Sequence, residues 1–148
     1  MDDYRLIGES SADYLGEGDK FLSIGRLYNY FTKAMGLRPN SDEGKVEALA
    51  AFGKADKDLY GSLISATHID KNLLSINFDL RLIEPFYDID WLRKQRERMG
   101  DENFCASIQS YLEDIIVDYL NLAYEKYPTN NLCISGGVAA NIIMSLAI

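Results

Sequence analysis

Two short segments of this 148-residue chain carry residue types that could hold an anionic ligand. One is Gly136-Gly137, set between the apolar run Asn131 to Ile134 and the apolar stretch that begins at Val138. Paired glycines at a strand-to-helix corner let backbone approach a ligand. A helix start adds free amides at the positive end of its dipole, a place suited to phosphate or ribose oxygens. Asn141, one turn further, is able to donate and to accept hydrogen bonds there. A capping or core role fits its spacing equally well, and Gly-Gly corners also serve close packing. The other segment is Asp42-Glu43-Gly44-Lys45, at the start of a second helical pattern. Acidic residues in a first turn favour the helix dipole with or without a ligand, whereas the Lys45 cation is unfavourable there unless an anion accompanies it. A solvated lysine is the plain alternative.

Other chemistries find little support. His68 is the sole histidine, and with only Cys105 and Cys133 beside it the chain has no metal-ligand spacing. Both cysteines are expected as reduced core residues. There is no Ser–His–Asp order and no Walker loop. Fifteen Lys and Arg against 23 Asp and Glu leave a net charge of −8, which denies a nucleic-acid binder its basic field. The basic group Arg93, Lys94, Arg96 and Arg98 lies among acids and reads as a salted helix face. No apolar run is long enough for a membrane span, and the acidic start lacks the design of a signal peptide. The expectation is a cytoplasmic protein with no membrane or nucleic-acid partner.

The chain reads as one helix-rich α+β unit over 1–148. Tyr4 to Gly8 is a short predicted strand, followed by a polar stretch through Lys20. The spacing of Ile24, Leu27, Tyr28, Phe31 and Met35 predicts a helix capped by Ser23 and closed by Gly36. A helix over Glu43 to Phe52 is predicted to bury Val46, Leu49, Ala50 and Phe52 and to end at Gly53. Leu59 to Thr67 adds a helical turn or two. Asn72 to Leu80 alternates as a strand with Leu74, Ile76 and Phe78 on one face. Asp88 or Asp90 caps a helix that runs to Met99 and stops at Gly100. Phe104 to Tyr127 carries an apolar stripe over about six turns. Asn131 to Ile134 is expected as a strand feeding one apolar helix from Val138 to Ile148. Because that helix is apolar on nearly every side and uncapped, it predicts a segment of a longer protein whose exposed end makes this chain self-associate.

At the two candidate segments the sequence resembles a known family. Ser23-Ile24-Gly25-Arg26-Leu27-Tyr28, then Asp42-Glu43-Gly44-Lys45-Val46-Glu47-Ala48-Leu49-Ala50-Ala51-Phe52-Gly53, then Leu132-Cys133-Ile134-Ser135-Gly136-Gly137-Val138-Ala139-Ala140-Asn141 are similar to successive segments of the carbamoyltransferases of the nodulation and antibiotic-tailoring type. The third segment also resembles proteins that make threonylcarbamoyl-adenosine in transfer RNA. The resemblance implies an internal fragment of an actin/sugar-kinase-like (ASKHA) nucleotide-binding domain. It further implies that carbamoyl phosphate and ATP give carbamoyl adenylate, from which the carbamoyl group passes to a small-molecule hydroxyl acceptor. Gly136, Gly137 and Asn141 would then line the nucleotide side, and Glu43, Gly44 and Lys45 the phosphate or carbamoyl side. The divalent metal of such a protein would take its ligands outside this chain, and the fragment alone would be inactive. Two other readings remain: a non-catalytic helical interaction domain, and a relative of the transfer-RNA-modifying proteins.

Overall fold

One helix, α6 (Asp101–Lys126), forms the axis against which the other elements of the computed structural model pack. The structure describes residues 22–148, so the expected strand Tyr4 to Gly8 lies outside the described residues. Ahead of α6 come α1 (Ile24–Ala34), α2 (Glu43–Ala50), α3 (Lys57–Ser65), the hairpin β1 (Thr67–Asp70) and β2 (Ser75–Phe78), the single turn α4 (Leu80–Ile83), and α5 (Ile89–Met99). A 3-10 turn, Val138–Ala140, and the short α7 (Ile142–Ala147) follow it.

Local signals account for most of the helix ends. The Ser23 side chain accepts from the Arg26 amide, and Asp88 accepts from the amides of Asp90 and Trp91. Asp56 and Asp79 cap α3 and α4 in the same way. The faces these helices bury meet on α6. Phe104, Ile108, Tyr111 and Leu112 are closed off from solvent against Leu27, Phe31, Val46 and Leu63, and the Phe31 and Phe104 rings stack at 4.8 Å. Tyr111 keeps its hydroxyl satisfied at 2.8 Å from that of Thr67. Its stripe is fully covered only to Ile115; Ile116, Tyr119, Leu120 and Ala123 are half-buried.

The basic group on α5 is an ion-paired face, as its neighbours imply. Arg93 pairs with Asp90, Arg96 with Asp101 at 2.7 Å, and Arg98 with Asp56 at 2.9 Å. Arg96 also donates to the Ala34 carbonyl, tying the α5–α6 corner to the end of α1.

Several expectations are corrected. Phe52 is 84% exposed, because α2 ends at Ala50 and the following turn swings its side chain outward. Among the described residues the only sheet is the antiparallel β1–β2 hairpin, in register Thr67 to Phe78 and Asp70 to Ser75. Asn131 to Ile134 therefore forms no strand: it has no ladder partner, and its side chains face solvent. In β2 the burial is not a clean alternation, since Ser75 is buried together with Phe78. The predicted terminal helix is broken in two. Asn141 leaves helical geometry (ψ 113°) and starts α7 afresh. Cys105 is buried, but Cys133 is exposed.

Candidate functional site

The α1–α2 connection is built to hold its turn against α2. Asn40 adopts a left-handed conformation (φ 61°), tolerable for asparagine. Its side chain accepts from Asn29 Nδ2 at 2.8 Å, and its amide donates to the Glu43 carboxylate. Asp42 caps nothing with its side chain. Instead its carboxylate accepts from the Arg38 amide and guanidinium and lies 3.0 Å from Lys45 Nζ. Those Arg38 hydrogen bonds, with Lys45 adding to them, hold the Asp42 carboxyl well below the usual carboxylate range. The anion that tolerates Lys45 in the first turn is thus Asp42 of the same chain, and Lys45 is 62% exposed.

Gly53 ends the second segment for a packing reason. A Cβ there would lie 2.1 Å from the Glu102 carbonyl oxygen and 2.7 Å from the Asn103 nitrogen. The turn after α2 touches the first turn of α6 backbone to backbone, and Lys54 donates to Asn103 Oδ1 at 2.9 Å beside that contact.

On the other side, Gly136 takes φ +103°, a conformation that side chains rarely adopt, and turns the chain into the Val138–Ala140 turn. Asn141 is buried and fully engaged. Its Oδ1 accepts from the Met144 amide at 2.8 Å and from Gln109 Nε2 at 3.0 Å, and its Nδ2 donates to Gln109 Oε1 at 2.9 Å. Tyr28 donates its phenol proton to the same Gln109 oxygen at 2.9 Å. Burial, reinforced by the Glu47 carboxylate, pushes the Tyr28 phenol far up, so it remains a donor. Glu47 reaches across to accept from the Ile143 amide at 2.7 Å, 96 positions along the chain, and so caps α7 from α2.

Between these parts lies a cleft of about 520 Å³. Gly25, Tyr28 and Asn29 of α1, Asn40 and Ser41 of the connection, and Glu43, Gly44 and Glu47 of α2 form one side. Leu112 of α6 with Gly137, Val138, Ala140 and Asn141 form the other. The structure thus brings Glu43, Gly44, Gly137 and Asn141 together at one cleft. Gly136 turns the chain just outside its lining, and Lys45 points away toward Asp42. The lining includes amides, hydroxyls and carboxylates, groups that hydrogen-bond sugar hydroxyls, set in a surface that is mostly apolar. Both carboxylates already accept a backbone N–H within the chain. No group of three His, Cys, Asp or Glu that could hold a metal occurs among the described residues.

Gln109, Glu47 and Asn29 were not singled out by sequence reasoning. Gln109 had a faint signal: with Ser110 it stands between the apolar positions Ile108 and Tyr111 of α6. Glu47 and Asn29 had none, since their partners lie on other elements.

The family described as carbamoyltransferase N-terminus matches residues 3–148, and the chain belongs to it. Among individual relatives, the chain is 45% identical over 151 residues to Uncharacterized protein MJ1058 of Methanocaldococcus jannaschii, a match covering 99% of this chain and 25% of that protein. It is 27% identical over 140 residues to a tRNA N6-adenosine threonylcarbamoyltransferase of Streptococcus pneumoniae, covering 94% of this chain and 37% of that enzyme. The chain therefore spans between a quarter and two-fifths of the length of these relatives. No solved structure matches it. Among the described residues no helix is long and apolar enough to cross a membrane.

Proposed function

We propose that this chain forms one wall of the nucleotide site of an O-carbamoyltransferase, within an actin/sugar-kinase-like domain. The observation that carries the reading is convergence. Two of the segments on which the family resemblance rests are far apart in sequence, yet both line one cleft with the first helix between them. ATP and carbamoyl phosphate are the substrates, and the activated species is carbamoyl adenylate. Forming it consumes water and releases pyrophosphate and inorganic phosphate. The acceptor hydroxyl then attacks the carbamoyl carbon and gives its proton to solvent, the new C–O bond forms, and AMP leaves as the bond between that carbon and the phosphate oxygen breaks.

In this reading the chain binds and orients. The Asn29 and Asn40 side chains of the α1–α2 wall hold hydroxyls of the ribose, and Glu43 faces the phosphate or carbamoyl side. The Gly137 backbone in the cleft lining approaches the phosphates, and Gly44 leaves room beside the first turn of α2. Lys45, paired with Asp42 outside the cleft lining, exchanges that partner for the phosphate or carbamoyl anion when substrate arrives. A divalent metal would be held by groups outside the described residues, and no step here runs through it. The acceptor is a small molecule, since the net charge of −8 disfavours a polyanion. Similarity to the Streptococcus pneumoniae enzyme favours one second reading, an adenosine of transfer RNA as acceptor.

Calorimetric titration of ATP into the full-length protein tests the site. Binding should raise stability by about 2.7 kcal/mol at a ligand concentration 100 times Kd. No heat and no shift in Tm would leave the chain a packing or interaction domain. Carbamoyl transfer to transfer RNA, and to no small hydroxyl compound, would select the second reading.

A further inference from the structure

Gln109 is 4% exposed on the inner face of α6, and every hydrogen-bonding position of its amide is used. The oxygen accepts from Tyr28 Oη and Asn141 Nδ2, and the nitrogen donates to Asn141 Oδ1 and to Glu113 Oε1 at 2.8 Å. Gln109 and Asn141, 32 positions apart, thus form a reciprocal two-bond amide pair. Two walls of the cleft meet at this one side chain: Tyr28 of α1 on one side and the corner ending at Asn141 on the other.

Core packing does not require such an amide. Methionine fills nearly the same volume without burying two donors and an acceptor, and apolar replacement of a whole buried polar set is often neutral for stability. What the amide supplies is direction. It fixes which way the Asn141 amide faces, and so where the turn Val138–Ala140 stands relative to α1. It also draws the Tyr28 proton inward, toward α6.

We infer that Gln109 is a positioning residue for the ligand cleft: it touches no ligand itself and sets the Tyr28 phenol and the Asn141 corner in binding geometry. The inference rests on the nucleotide reading above. Its test is a binding cycle with ATP in the full-length protein, by calorimetry well below each variant's Tm. Gln109→Met and Asn141→Ala should each raise Kd about tenfold. The double variant should be no weaker than the weaker single within about twofold, because both remove the same constraint. Glu113→Gln, which keeps an acceptor on the side away from the cleft, should leave Kd unchanged. Should Gln109→Met fail to fold, Gln109→Glu takes its place: it still accepts from Tyr28 but cannot donate to Asn141, and the same rise is expected. Unchanged Kd in a folded Gln109 variant, or a double variant whose loss is the product of the singles, overturns the positioning role and leaves the nucleotide reading standing. Absence of ATP binding by the unsubstituted protein overturns the nucleotide reading, and this inference with it.

Discussion

Adding one methyl group at two different glycines should move stability in opposite directions. At Gly53 an added Cβ would stand 2.1 Å from the Glu102 carbonyl oxygen and 2.3 Å from its carbon. Neither backbone atom can rotate away, so the turn after α2 must lift off α6 by about an ångström. That displacement would break the 2.9 Å bond from Lys54 to Asn103 and loosen Val46 and Ala50 from the α6 face. Overpacking of this kind costs about 1–3 kcal/mol, and backbone as the obstacle places Gly53→Ala at the upper end. For a domain of this size about 3 kcal/mol lowers Tm by roughly 6–12 °C. Gly61, within α3, has nothing within 4 Å of the same position. Gly61→Ala should therefore stabilise by about 0.5–1 kcal/mol through helix propensity alone. Urea unfolding of the two variants beside the unsubstituted protein measures both values. Equal effects, or a stable Gly53→Ala, would refute the backbone-to-backbone contact between α2 and α6.

Lys45→Met removes the solvent-exposed partner of the buried Asp42, which keeps its Arg38 hydrogen bonds, and should change stability by less than about 1 kcal/mol, yet under the proposed function it should lower carbamoyl transfer at least tenfold; normal turnover in a steady-state assay would remove Lys45 from the site. Asp42, Asp56 and Asp101 are each held below the usual carboxylate range by hydrogen bonds from Arg38, Arg98 and Arg96 respectively. Their stabilisation is present above the unfolded pKa of about 3.9 and is lost as pH falls through the lower folded values, so urea midpoints should drop below about pH 4 and a flat profile to pH 3 would contradict the pairing. Tyr28→Phe should cost about 0.5–1.5 kcal/mol by removing one of the two donors to the Gln109 oxygen, measured by the same unfolding; a neutral result would mean that the hydroxyl is not engaged in solution. With Leu132, Ile134, Ile142 and Leu146 exposed, the 148-residue chain expressed alone should dimerise at micromolar concentration; sedimentation equilibrium showing only a 16.7 kDa monomer would reject this.

The helix boundaries were legible where the signal is local. Ser23, Asp88 and Gly100 act on neighbours within a few positions, and their helices start or stop where those residues stand. Legibility failed where the deciding partner is remote. Asn141 could be weighed as a cap or as a ligand group, but nothing near it in sequence shows that Gln109 would engage its amide and that the apolar stretch would break there. Asn131 to Ile134 has strand composition without a strand beside it, and composition alone makes no ladder. The candidate site was legible in part. Gly44, Gly137, Asn141 and Glu43 do meet at one cleft with Gly136 just outside it, while the acid that neutralises Lys45 lies only three residues upstream of it.

The unequal burial of the two thiols supplies a built-in reporter. Burial pushes the Cys105 thiol up to about 12, so it stays protonated and enclosed under ordinary labelling conditions. Cys133 stands exposed three residues ahead of Gly136. A maleimide fluorophore should therefore mark a single position of this chain without any engineered cysteine. Its emission would follow the environment of the glycine corner directly, and opening or closing of the cleft could be timed by stopped flow.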